Sequence, residues 1–312
     1  MPSQNVIPHD RPHRPEHDRP TVAFIGLGAM GRPIAGHLAR AYPTLVNNRT
    51  AAKADRHAEQ FGSRAANLTR AAAADVVLTC LPVSADVDAV ARAMLPHLRS
   101  GTLWIDHTSG RPDAARATAR MLAGVGVAYV DACLSGGVAG AQAGTASVTF
   151  GGAVGDVERA CEVVGTYAAT MVRVGDVGAG HAVKAVSNAV LAANLWVLAE
   201  GMLALTRLGV DPWPALEAIN ASSGRSFASE NPMPQRVVTR EFPNTFSLGL
   251  LAKDVGIAAA VLDEASSPAP VLRQVRELFD IARHEIGSDV DHSAAVQLLE
   301  RWAGSEIRPP AD

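Results

Sequence analysis

The chain has 312 residues, enough for two domains and a sizeable core, with 48 % hydrophobic residues and a formal charge of −3. It has no basic stripe and only 4 % aromatic residues, which argues against a nucleic-acid partner. Its three cysteines, Cys80, Cys133 and Cys161, lack metal-type spacing; a sparse, odd count fits free thiols in a reducing, cytoplasmic compartment.

Residues 1–20 are charged and proline-rich and predict a disordered tail, because they cannot bury enough apolar area to fold. His9, His13 and His17 recur every fourth residue, but the intervening prolines break the helix that would gather them on a metal. No apolar h-region follows, so the tail does not read as a signal peptide. No apolar stretch combines transmembrane length with loop flanks, so no membrane partner is expected.

The first element is a strand over 21–27, followed by Gly26-Leu27-Gly28-Ala29-Met30-Gly31 and a helical pattern from Arg32. In such a strand–turn–helix the first glycine permits the tight turn. The second lets backbone approach a pyrophosphate, and the third lets the helix pack on the strand. Amides at the helix start then favour the anion. Further strand-like runs lie at 44–46, 75–81, 103–106, 127–131, 147–150 and 171–174, with Ala-rich helical stretches at 51–61, 86–98, 112–122 and 157–167. This alternation predicts an α/β domain over 21–180, a Rossmann-type, doubly wound, mostly parallel sheet with its ligand crevice beyond the carboxyl ends of the strands.

Near Gly175, Gly178 and Gly180 the texture changes. Residues 181–208 form a nearly breaker-free run of Ala, Val and Leu, predicting a helix roughly 40 Å long. It is too apolar for a surface helix and should be buried between domains or subunits. Helical patterns follow at 213–219, 250–264, 271–285 and 293–303, so residues 181–305 read as an all-helical domain for substrate binding and oligomerisation, joined to the sheet by the long interdomain helix.

The second strand ends in Val46-Asn47-Asn48-Arg49-Thr50, without the acid that would bind a ribose 2′-hydroxyl in an NAD enzyme. Arg49 offers a guanidinium fork suited to a 2′-phosphate, with Asn48 and Thr50 as neutral hydrogen-bonding neighbours, and so favours NADP over NAD. The bland alternative is a solvated arginine at a strand end. The missing acid weighs more than the present arginine, because a carboxylate would repel the phosphate.

Four segments carry unusual side chains at the expected crevice: Asp106-His107-Thr108-Ser109-Gly110; Asp131-Ala132-Cys133-Leu134-Ser135-Gly136-Gly137 with Gly140, Ala141, Gly144 and Thr145; Gly180 to Asn188; and Leu251-Ala252-Lys253-Asp254. Lys184 and Asn188 stand four apart, on one face of the apolar helix. A buried lysine without a task would cost several kcal/mol; the competing reading is a lysine snorkelling to solvent.

These segments, in this order and spacing, resemble the β-hydroxyacid dehydrogenase family, to which 3-hydroxyisobutyrate dehydrogenase and tartronate semialdehyde reductase belong. The likeness runs from about residue 21 to residue 300. It implies that Gly26, Leu27, Gly28, Ala29, Met30 and Gly31 hold the cofactor, with Asn48, Arg49 and Thr50 similar to NADP-preferring members. Leu81, Pro82 and Thr108 would line the cofactor cleft, and Lys253 would contact the cofactor. Ser135, Gly136 and Gly137, with Thr108, would hold the substrate. Lys184 would be the catalytic lysine and Asn188 would position it and the substrate; no metal is implied. Many members carry proline where this chain has Cys133, which loosens the turn before Ser135.

The resemblance implies an NADP-dependent enzyme interconverting a small anionic 3-hydroxy acid and its semialdehyde, as a homodimer or homotetramer. Methylmalonate, tartronate, succinic and sulfonated semialdehydes all offer an anionic end and an aldehyde. An imine reductase on the same scaffold is the enzymatic alternative, and an inactive cofactor-binding scaffold the non-enzymatic one. Lys184 argues against the first, and Lys184, Asn188 and Ser135-Gly136-Gly137 together argue against the second. Trp196 either shapes the pocket or makes a subunit contact, and Arg225 is either an anion ligand or a solvated loop residue.

Overall fold

The structure, a computed structural model, describes residues 19–309. Residues 1–18, with the three spaced histidines of the expected tail, lie outside the described residues. Arg19 donates through Nη1 to the Ala41 carbonyl at 3.1 Å.

Eight strands form one sheet: β1 (Val22–Ile25), β2 (Thr44–Asn47), β3 (Arg64–Ala65), β4 (Val76–Thr79), β5 (Leu103–Asp106), β6 (Ala128–Ser135), β7 (Ala146–Gly151) and β8 (Ala168–Gly175). Their order is β3-β2-β1-β4-β5-β6-β7-β8, and every neighbouring pair is parallel except β6 and β7. Residues of β1, β4 and β5 are buried throughout, as strands covered on both faces must be. The period of two divides them between two cores. Val22, Phe24, Leu78 and Ile105 pack with Ile34 and Leu38 on one face; Ala23, Ile25, Val77 and Trp104 pack with Met94 and Leu122 on the other. The sheet is therefore doubly wound, and its strand order reverses between β1 and β4, where dinucleotides bind in this architecture.

Several boundaries differ from those expected, three of them near the site or the sheet edge. β3 is only two residues long and carries no periodic signal. β6 continues past Asp131 to Ser135, because Cys133 and Leu134 pair with β7. The helix expected at 157–167 is Val154–Val164, and Tyr167 is instead a fully buried side chain leading into β8.

The chain divides into two compact units between Lys184 and Ala185, within the helix Ala179–Arg207. The second unit is helical, with further helices at Pro212–Asn220, Phe227–Glu230, Leu248–Glu264, Pro270–Glu285 and Val296–Ala303. The expected helix at 293–303 begins as a 3₁₀ turn, His292–Ala295. Asp211 and Ser247 cap two of these helices through their side chains.

In the second unit, Ala185, Ala189, Ala192, Leu195, Trp196, Ala199 and Met202 of the long helix are buried in one core. Trp196 packs against Phe279 and Trp302 and donates to Glu200, so it is a core residue of this unit rather than an open pocket wall. The other side of the helix is exposed at Val190 (46 %) and Val197 (62 %), so burial on all sides, as the composition suggested, is not met within the unit. No membrane span is expected from the sequence, yet by length and composition this helix is long and apolar enough to be one. One such helix is weak evidence for a membrane span, and its buried alanines belong to the core of the second unit.

Candidate active site

The glycine turn behaves as its three positions require. Gly26 has φ +105, and a Cβ there would stand 2.3 Å from the Cys80 carbonyl oxygen in the loop after β4. A Cβ on Gly31 would meet the Gly26 carbonyl oxygen at 2.0 Å, so the helix Gly31–Ala41 lies against the turn only because both are glycine. Gly28 is different: nothing stands within 4 Å of where its Cβ would be. The helix start has no side-chain cap and no acid in its first turn, so no carboxylate there opposes an anion; the Arg32 amide itself donates to the Gly28 carbonyl at 3.0 Å, and Pro33 has no amide hydrogen. Close glycine packing on two sides, open space on the third and an acid-free helix start fit a dinucleotide pyrophosphate.

At the tip of β2, Asn48 Oδ1 accepts from the Leu27 amide at 3.0 Å and Asn48 Nδ2 donates to the Thr50 carbonyl at 3.2 Å. Asn48 thus ties the strand tip to the glycine turn, while Arg49 and Thr50 are exposed beside it. After β4 and β5 the loops are tied in the same way: the Leu81 amide donates to Thr108 Oγ1 at 3.1 Å. Thr108 is 1 % exposed, so the structure gives it a loop-bracing contact. Pro82 is exposed.

At the end of β6, Ser135 is half-buried and is followed by Gly136 and Gly137 at φ +106 and +62, a left-handed conformation that glycine adopts without strain, and the helix Gly137–Ala143 that they open has no side-chain cap. Lys184 Nζ donates to Ser135 Oγ at 3.3 Å. The sheet's last crossover thus brings together a hydroxyl and an amine 49 residues apart in sequence.

Behind this pair lies a buried polar cluster. Asp106 Oδ1 accepts from Thr79 and from the Thr108 amide, and Oδ2 accepts from Tyr129 at 2.8 Å. Burial alone would raise the Asp106 carboxyl; the imidazole of His181 and the Thr108 hydrogen bonds outweigh it and hold it below the usual range. Burial likewise opposes charge on His181, but Cys133, Asp106 and Asp131 raise its pKa well above the usual value. His107 lacks such a counter-charge: burial pushes it down to about 4, against the Ala132 carbonyl and Asp106. Its Nδ1 faces that carbonyl and must donate, leaving Nε2 to accept from Tyr167 at 2.6 Å.

Within the second unit, Asn188 is 6 % exposed and donates from Nδ2 to Asp254 Oδ2 at 2.6 Å. Lys253 Nζ lies 3.2 Å from Asp254 Oδ1. Asn188, Lys253 and Asp254 form one polar group within this unit.

Residues 21–175 match the model of the NAD binding domain of 6-phosphogluconate dehydrogenase. Residues 178–299 match that of the NAD-binding of NADP-dependent 3-hydroxyisobutyrate dehydrogenase. The 2-(hydroxymethyl)glutarate dehydrogenase of Eubacterium barkeri is 32 % identical over 92 % of this chain and 97 % of its own length. The chain belongs to the β-hydroxyacid dehydrogenase family. Human mitochondrial 3-hydroxyisobutyrate dehydrogenase is 31 % identical over 89 % of this chain and 86 % of its own. The solved Mycobacterium tuberculosis 3-hydroxyisobutyrate dehydrogenase with L-serine superposes with a TM-score of 0.84 at 29 % identity, covering 90 % of this chain and 99 % of that one. As a β-hydroxyacid dehydrogenase, the protein is an oxidoreductase that uses a nicotinamide cofactor.

Several polar residues of this dehydrogenase escaped the sequence reading. Asp254 was visible only as the neighbour of Lys253; its burial beside Asn188 is a tertiary fact. Asp106, Asp131 and His181 lay in the quoted segments, but sequence alone does not show that they meet. Two surface cavities, of about 390 and 490 Å³, lie by the amino ends of strands, lined in part by Val76 and Leu103 and by Thr44 and Leu45. Neither contains a residue expected in the site. Arg225 has a 66 % exposed side chain, 3.9 Å from Glu230, and is a solvated loop arginine.

Proposed function

We propose that the protein is an NADP-dependent dehydrogenase that interconverts a small 3-hydroxy acid and its semialdehyde. The observation that carries this reading is the Lys184 Nζ to Ser135 Oγ hydrogen bond. An amine held beside this hydroxyl and the adjoining Gly136 and Gly137 supports proton transfer next to a bound carboxylate. The nicotinamide, when bound, supplies or accepts the hydride.

In oxidation, neutral Lys184 takes the substrate hydroxyl proton. In reduction, protonated Lys184 stabilises the negative charge growing on the carbonyl oxygen and delivers its proton there. Ser135, Gly136 and Gly137 fix the carboxylate, with Thr108 bracing the adjoining loop. Asn188, held by Asp254, orients the substrate oxygen, and Lys253 contacts the cofactor by family resemblance. Gly26 to Gly31 take the pyrophosphate, Leu81 and Pro82 line the cleft, and Arg49 pairs with the 2′-phosphate beside Asn48 and Thr50.

The named relatives support the substrate class. 3-Hydroxyisobutyrate, 2-(hydroxymethyl)glutarate and L-serine all carry a primary alcohol one carbon beyond the α-carbon of a carboxylate. The domain roles follow: cofactor on the sheet domain over 21–180, substrate and subunit contacts on the helical domain over 181–305. The exposed valines of the long helix support a homodimer or homotetramer, and the free thiols of Cys80, Cys133 and Cys161 support a cytoplasmic setting.

The test is a panel of 3-hydroxy acids, their semialdehydes and cyclic imines, each with NADP(H) and NAD(H), followed by absorbance at the reduced cofactor's band. Turnover of at least one hydroxyacid–semialdehyde pair, faster with NADP(H), is the predicted result. Turnover of imines alone, or of nothing, contradicts it.

A further inference from the structure

His181 stands three residues before Lys184 on the long helix and is 1 % exposed, yet proton transfer to substrate leaves it without a task. Its backbone and its ring are each fastened to the sheet. The amides of Gly178 and His181 donate to Asp131 Oδ1 and Oδ2 at 2.6 and 2.9 Å, so a β6 carboxylate caps this helix from outside. The ring Nδ1 lies 3.1 Å from Cys133 Sγ, also on β6, and Nε2 lies 3.6 Å from Asp106 Oδ2 at the end of β5.

Glycines keep this arrangement tight. A Cβ on Gly110 would stand 3.2 Å from His181 Nε2. A Cβ on Gly180 or Gly151 would stand 2.7 or 2.6 Å from the nearer Asp131 oxygen. A side chain at Gly151 or Gly180 would displace the carboxylate, and one at Gly110 would push the ring by a few tenths of an ångström.

Cys133 and Ser135 are two apart on a strand and share a face; His181 and Lys184 are three apart on a helix and share a face. The contacts Cys133–His181 and Ser135–Lys184 are therefore successive rungs of one helix-on-strand ladder. Fixing the first rung fixes the rotation and height of the helix turn that carries the second. Misplacing a reacting group by about 1 Å can cost on the order of 100-fold in rate.

We propose that His181 is a positioning residue for Lys184: by locking the first turn of the long helix onto Cys133, Asp106 and Asp131, it sets where the lysine amine stands against Ser135. The proposal rests on Lys184 being the proton carrier. The first rung depends on Cys133, since a proline at that position offers the imidazole no thiol.

The test compares His181→Leu, His181→Gln, Cys133→Ala and Lys184→Ala in the full-length protein with the best hydroxyacid of the panel. The readouts are kcat, both KM values, cofactor Kd, melting temperature and the rate of reductive methylation of Lys184. That rate is read by mass spectrometry against Lys53 and Lys253, the other two lysines of the chain. H181L should lose at least about tenfold in kcat while KM and cofactor Kd stay within about threefold, in keeping with misplacement. Its Lys184 methylation rate should shift, and H181Q, which can still hydrogen-bond, should recover most of both. If H181L does not fold, C133A carries the same reading with a smaller loss. Parental kcat in H181L, or losses of KM and Kd as large as that of kcat, overturn the proposal. An unchanged Lys184 methylation rate overturns it whatever the turnover. Parental turnover in K184A sinks the functional reading instead, and the methylation rate still decides the role of His181.

Discussion

Asn188 donates its side-chain amide to Asp254 at 2.6 Å, with both residues almost fully buried. This bond fixes which end of the Asn188 amide faces Asp254: Nδ2 is turned to the carboxylate with one of its two N–H donors engaged, and the acceptor Oδ1 points away. Asp254→Ala leaves a buried amide unpaired and should cost about 2 kcal/mol in stability, together with at least about a tenfold fall in kcat. Denaturant unfolding and steady-state kinetics check both. Unaltered kcat in a folded D254A protein would show that the orientation of Asn188 does not matter to the reaction.

Gly28 and Gly31 should respond oppositely to alanine. A Cβ on Gly28 meets nothing within 4 Å, so Gly28→Ala should melt like the parent while weakening cofactor binding by about tenfold or more, because the methyl occupies the pyrophosphate's place. A Cβ on Gly31 would lie 2.0 Å from the Gly26 carbonyl oxygen, so Gly31→Ala should lower the melting temperature itself. Cofactor titration by fluorescence and thermal melting separate the two outcomes.

Arg49 is exposed at the tip of β2, so its replacement leaves the fold alone. Arg49→Asp should reverse the cofactor preference, raising KM for NADPH by about tenfold or more and lowering it for NADH, since a carboxylate repels the 2′-phosphate and accepts from a 2′-hydroxyl. Equal losses for both cofactors would mean that Arg49 does not read the phosphate.

Acid should destabilise the protein through His107. Burial holds this imidazole at about 4, below its usual 6.5. Between those values the unfolded chain binds a proton that the folded chain refuses, so stability rises with pH across that window and is lost as pH falls through it. The depressed value corresponds to about 3 kcal/mol at full extent. His57, also pushed down by burial, adds to the same slope. The melting temperature of His107→Asn should change less between pH 6.5 and 4.5 than that of the parent.

The parts of this protein that were legible in its sequence are those governed by local rules. Gly26 and Gly31 announce their roles because a tight turn and a close packing each admit only glycine. The fully buried β1, β4 and β5 read as apolar runs because both faces are covered. β3 stayed hidden because two residues carry no period, and the end of β6 because its last residues are held by pairing with β7 rather than by pattern. Lys184 and Ser135 could be singled out, but not their contact. The ring of Asp106, Asp131, Cys133 and His181 was less legible still: its members come from two strands and a helix, and only the folded chain brings them together.

The measurement that bears most directly on the account is single-turnover hydride transfer by Lys184→Ala, with cofactor binding measured on the same sample. The account predicts a rate lower by about 10²- to 10⁴-fold, the usual worth of a positioned acid–base group, with cofactor Kd within about twofold of the parent. Hydride transfer at a near-parental rate in a folded, cofactor-binding K184A protein would contradict it.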